Sequence, residues 1–101
     1  MRQFETLLLL SPELSADARE ALLSTFTGVI ERDGGKIEEV DQWGMRDLAY
    51  PVRKATRGFY VRLVYAAPAS LVAELERNIR LSDGVYKFLT VKLSENAKED
   101  A

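Results

Sequence analysis

Trp43-Gly44-Met45-Arg46-Asp47-Leu48-Ala49-Tyr50-Pro51-Val52-Arg53-Lys54 joins two halves of similar build. On either side of it the pattern gives one strand, one amphipathic helix and one strand. Gly44 interrupts a strand-like run, which predicts a bulge or bend where a Cβ is unwelcome. Leu48-Ala49-Tyr50 continues the strand. Pro51 has no N–H to give to a ladder, so the segment belongs on a sheet edge or at a strand end. Arg46, Arg53 and Lys54 surround the hinge with cationic heads. Nothing here is catalytic; the stretch reads as a curved edge strand with a basic tip, shaped to grip a partner.

Working outward, residues 2 to 10 (Arg-Gln-Phe-Glu-Thr-Leu-Leu-Leu-Leu) form an apolar run halted by Ser11-Pro12, a strand covered on at least one face. Ser15 caps a helix running to about Asp33, with Ala18, Leu22, Phe26, Val29 and Ile30 at helical spacing. Gly34-Gly35 stops it. Lys36 to Trp43 begins the second strand, where the odd spacing of Ile37 and Val40 leaves room for another bulge. Gly58 to Tyr65 alternates cleanly, with Phe59, Val61, Leu63 and Tyr65 toward the helices. Pro68 opens a second helix with Leu71, Leu75 and Ile79 as its stripe. Asp83-Gly84 turns into a last strand, Val85 to Leu93. Thr90 occupies a position on it that suits an aliphatic residue.

The resulting order, β-α-β-β-α-β, predicts an α+β ferredoxin-like split β-α-β fold. Its four-stranded antiparallel sheet has the order 4-1-3-2, with two helices on one face and the Trp43 strand at an edge. Leu7, Leu9, Tyr60, Arg62, Val64, Lys87, Leu89 and Val91 fall on the uncovered face, which is too apolar for a surface that meets only water. Residues 1–93 read as a single domain and 94–101 as a short polar, disordered tail.

Composition narrows the function classes. The chain of 101 residues has no cysteine and no histidine, so thiolate metal sites, disulfides and the commonest general base are missing. No catalytic residue, metal ligand or cofactor site is predicted. No run of 18 apolar residues spans a membrane and no export signal opens the chain, so cytoplasm is the default. The net charge of −2 is unevenly spread. Residues 13 to 41 hold eight acids against three bases, whereas residues 46 to 62 hold five bases against Asp47 alone. A basic end of this kind meets phosphates, while the overall acidity argues against strong unaided nucleic-acid binding.

Two chemistries hosted by this topology fit poorly. Arg57-Gly58-Phe59-Tyr60-Val61 approximates the aromatic core of an RNA-recognition motif, but the register of its rings is wrong for base stacking. An acylphosphatase needs an arginine in a glycine-rich loop after the first strand, and that loop is Ser11-Pro12-Glu13. Asp33, Glu38, Glu39 and Asp41 lack the spacing of a calcium loop.

Met1-Arg2-Gln3-Phe4-Glu5, Trp43 to Val52 and Lys87 to Lys92 together resemble the bacterial small-subunit ribosomal protein S-six (S6) family, across roughly residues 1 to 94. The resemblance implies the split fold and a heterodimer with ribosomal protein S-eighteen (S18), a small basic protein. It also implies joint binding to the central domain of 16S ribosomal RNA in the small (30S) subunit. Carried onto this chain, Arg2, Arg46, Lys54, Arg80, Lys87 and Lys92 face RNA phosphates, with Arg53 and Arg57 as second choices. Trp43, Leu48, Tyr50, Tyr60 and Arg62 face the partner protein, by edge pairing or by docking on the open sheet. Some family members carry a long acidic C-terminal extension, of which this sequence has only a stub. On the ribosomal reading the protein is expected to be a monomer when isolated. A reading from another class is a homodimeric ferredoxin-like module that binds a small metabolite.

Overall fold

The computed structural model describes residues 1–94. The chain order is β1 (Arg2–Leu10), α1 (Ala16–Arg32), β2 (Lys36–Val52), β3 (Ala55–Ala67), α2 (Ala69–Arg80) and β4 (Val85–Ser94). All sheet pairings are antiparallel, in the order β2-β3-β1-β4. This is the predicted 4-1-3-2 order read from the other edge, and the fold is ferredoxin-like α+β. The predicted tail, 94–101, lies outside the described residues except for Ser94, which closes β4.

Local chemistry sets the helix ends. The Ser15 hydroxyl accepts from the Ala18 N–H at 3.1 Å, and Asp17 sits in the positive first turn. At the other end Gly34 takes φ +94°, and the Gly35 N–H closes back onto the Ile30 carbonyl at 2.8 Å. A Cβ on Gly35 would come within 3.0 Å of the Ala66 carbonyl, so the stop is also a close packing point. The buried stripe of α1 is Leu23, Phe26, Val29 and Ile30. Leu23 takes the place predicted for Leu22, which packs at the margin of the core.

The core lies between the helices and one face of the sheet. Leu8 and Leu10 of β1 and Val61, Leu63 and Tyr65 of β3 meet Phe26, Ile30, Leu71, Leu75 and Ile79, all within a percent or two of full burial or close to it. One polar thread crosses this layer. Thr6 is wholly buried, and its Oγ1 lies 2.9 Å from the Tyr65 Oη and 2.9 Å from the Thr90 Oγ1. A threonine at position 90 is therefore the group that lets β4 join a hydrogen-bonded set spanning β3, β1 and β4. An aliphatic residue there would cut β4 out of the set, leaving the buried Thr6 and Tyr65 hydroxyls paired only with each other.

β2 is one of the two edge strands, and its pairing with β3 slips at three places: Ile37/Glu39, Gln42/Gly44 and Asp47/Val52. The first two are the predicted bulges, and Gly44 sits at φ +97°. Together they twist the edge away from a flat template for another strand. The third slip lies in a long overhang. β1 ends at Leu10 opposite Phe59, while β2 and β3 run on to the pair Val52 and Ala55. The hairpin is closed by Arg53 and Lys54, both left-handed at φ +49° and φ +66°. That is the backbone of a two-residue primed turn, here made without the usual Asn-Gly.

Candidate nucleic-acid and partner interface

Strand alternation turns Leu7 and Leu9 of β1, Tyr60, Arg62 and Val64 of β3, and Lys87, Leu89 and Val91 of β4 away from the helices. Leu9 and Val64 are nonetheless buried, sealed by their neighbours on the face itself. Leu89 (63 % exposed), Tyr50 (60 %), Val91 (42 %) and Trp43 (40 %) are not sealed. The face is apolar in the middle and, among the described residues, no helix covers it.

All five residues predicted to meet a partner lie on this face. The Gln42/Gly44 slip places the Trp43 ring 6.1 Å from the Tyr60 ring. The Trp43 indole N–H donates to Asp41 Oδ2 at 3.0 Å, which fixes the ring on the surface. Leu48, Tyr50 and Tyr60 line one hollow with Leu9, Val52 and Lys87. A second hollow alongside it is lined by Leu7, Leu9, Tyr60, Lys87, Phe88 and Leu89. Gly58 is needed beneath them, since a Cβ there would collide with the Leu9 side chain.

Arg62 anchors the polar side of the face. Its Nε donates to Glu5 at 2.8 Å and its Nη1 to Glu39 at 3.3 Å. The bond to Glu5, with the nearby Glu39 and Asp41 charges, holds the guanidinium pKa above its already high ordinary value. The signal for this acidic flank lies in the alternation of β2, where residues 39 and 41 share a face with Trp43. The bulges hid it.

The six residues predicted to face RNA do not form one patch. Arg46, Lys54, Arg80 and Lys87 gather toward the hairpin end of the molecule, and Arg2 and Lys92 stand at the other. Lys87 pairs with Leu9 and Lys92 with Phe4, a separation of about 17 Å along β1. Arg2 pairs with Ala67 and lies beside Asp33, Gly34 and Pro68, where α1 ends and α2 begins. Arg46 donates to the Trp43 carbonyl at 3.3 Å, so it braces the bulge while its charge remains exposed. Arg57, a second choice, is paired with Asp47 at 3.1 Å on the hairpin shank.

The hairpin tip bends over the end of β1 onto β4. The Lys87 ammonium donates to the Tyr50 hydroxyl at 3.0 Å and lies 5.2 Å from that ring. This hydrogen bond holds the Tyr50 phenol below its ordinary pKa and the Lys87 ammonium above its own. The Arg53 guanidinium lies 5.1 Å above the Tyr86 ring, and that of Arg80 lies 5.5 Å from Phe88. Cations from three separate elements thus share one end. They present charge and donors, with no nucleophile and base in contact. Among the described residues no group of three or more carboxylates could hold a metal ion, and no helix is long and apolar enough to cross a membrane.

The chain is similar to known proteins over most of its length. The family described as Ribosomal protein S6 matches residues 3–92. The small ribosomal subunit protein bS6 of Desulfovibrio desulfuricans is 75 % identical over 95 residues, 94 % of this chain and 93 % of that one. Its counterpart of the same name in Nitratidesulfovibrio vulgaris strain Miyazaki F is 68 % identical over the whole of both chains. Among solved structures, the 30S ribosomal protein S6 of Thermotoga maritima superposes with a TM-score of 0.86 at 27 % identity, covering 90 % of this chain and 86 % of that one.

Proposed function

The chain belongs to the ribosomal protein S6 family, and on that premise we propose that it is a non-enzymatic component of the bacterial 30S subunit that binds the central domain of 16S ribosomal RNA as a heterodimer with ribosomal protein S18. The observation that carries this reading is the helix-free face. Its exposed Trp43, Tyr50, Leu89 and Val91 adjoin an end bearing Arg46, Lys54, Arg80 and Lys87. An apolar surface of this kind is completed by another macromolecule. The cations beside it then supply phosphate contacts that position the pair without reading sequence.

The division of labour follows from charge. A chain with a net charge of −2 gains little from the field around an RNA. A basic partner seated on the open face supplies the missing attraction, while this chain contributes shape and a few directed cations. Function as a ribosomal component places the protein in the cytoplasm, on the ribosome. The test is a filter-binding titration of a central-domain 16S fragment with and without S18. Weak, salt-sensitive binding alone and much tighter binding with the partner are expected; equal affinity in the two titrations overturns the heterodimer. The metabolite-binding homodimer is decided by a mass measurement on the isolated protein, for which a monomer is expected.

A further inference from the structure

The groove between the hairpin tip, the end of α2 and the start of β4 is built for more than charge. It encloses about 320 Å³ and is lined in part by Arg53, Arg80, Tyr86, Lys87 and Phe88. Arg53 is delivered there by a turn whose two central residues are both non-glycine and left-handed. That conformation costs energy and persists where the surroundings hold it. Its guanidinium lies 5.1 Å from the Tyr86 ring centroid and makes no hydrogen bond or ion pair to a carboxylate among the described residues. Arg80 lies over Phe88, its one carboxylate partner being Glu76 at a long 3.5 Å. Lys87 is held by a neutral phenol. Two guanidinium groups therefore each lie within about 5.5 Å of an aromatic ring while remaining exposed to solvent.

We propose that this groove receives one unpaired nucleotide of RNA, its base stacked on the Arg53 plane that Tyr86 supports and its phosphate held by Arg80 and Lys87. The inference rests on the RNA-binding reading above and deepens it. A guanidinium plane is a sequence-tolerant platform for an unstacked base, and a base inside a duplex cannot reach it. The end of α2 directs carbonyls toward this region, which favours the cations placed in its last turn.

The experiment uses the full chain at low salt with two RNA hairpins, identical except that one carries a single unpaired adenosine. Arg53→Lys keeps the charge and removes the plane, at an exposed turn where the fold is not at risk; Tyr86→Leu removes the support. On the adenosine-bearing hairpin each variant is expected to lose affinity by on the order of tenfold with an unchanged salt slope, and on the paired hairpin neither changes. Equal losses on both hairpins, or no loss on either, overturn the stacking site while leaving RNA binding intact. Free adenosine monophosphate bound as tightly as the hairpin makes the groove a small-molecule site and overturns the inference. If the unaltered protein binds neither hairpin, with or without S18, the RNA-binding reading itself fails.

Discussion

At the scale of single residues, the polar thread through the core is the least expected feature. Thr6, Tyr65 and Thr90 come from three strands, and only the register of the sheet brings their hydroxyls together. A buried hydroxyl left without a partner costs about 1–3 kcal/mol, whereas a hydrogen bond lost with the other groups still paired costs about 1 kcal/mol. Thr6→Val leaves the buried Tyr65 hydroxyl without its partner, whereas Thr90→Val leaves Thr6 and Tyr65 paired, so urea unfolding should show the first substitution as the more damaging. Burial is the largest influence on the Tyr65 phenol and raises its pKa, an effect that the threonine hydrogen bonds partly offset. The unfolded phenol therefore ionises first. The stability this group contributes is whole below about pH 10 and declines as pH rises further. Tyr65→Phe should flatten that alkaline decline in unfolding curves measured from pH 9 to 11.

At the scale of elements, the edge hairpin shows what could be read from the sequence and what could not. Gly44 interrupting a strand, the uneven spacing of Ile37 and Val40, and Pro51 near a strand end each carry a local backbone meaning, and the bulges and the edge position follow from them. The turn itself carried no such sign. Arg53 and Lys54 are poor residues for a left-handed pair, so nothing local announced a two-residue turn or the overhang behind it. The same limit applies to the candidate site. Which residues share the open face is set by alternation and was legible. That Lys92 stands about 17 Å, and Arg2 about 24 Å, along β1 from the Lys87 position depends on register, which one strand read alone does not contain. Lys54→Gly tests whether the awkward turn is kept for its charge. Relief of the left-handed conformation should outweigh the extra freedom of unfolded glycine and raise stability by roughly 0.5 kcal/mol. The salt dependence of RNA binding should fall by about one unit as one phosphate contact disappears. A variant that is less stable and binds as before would show the turn to be structural.

At the scale of the whole molecule, the two surfaces are separable because the core does not depend on either. The helices and the inner face of the sheet bury Leu8, Leu10, Phe26, Leu63 and Leu75 completely, so the fold is sustained from one side. The outer face can then be altered without reaching that core. Leu89 is the best place to try, since it is 63 % exposed and lies on the β4 edge of the open face, lining one hollow with Leu7, Leu9 and Tyr60. An exposed position changes stability by no more than about 0.5 kcal/mol. Leu89→Glu should therefore leave the urea midpoint and the weak binding of RNA alone almost unchanged. The added carboxylate would have to be stripped of water under an apolar partner surface, so the gain in RNA affinity proposed for S18 should be absent. If that increase survives intact, the partner does not dock on this face, and pairing along the β2 edge becomes the mode of association that the remaining exposed aromatics, Trp43 and Tyr50, support.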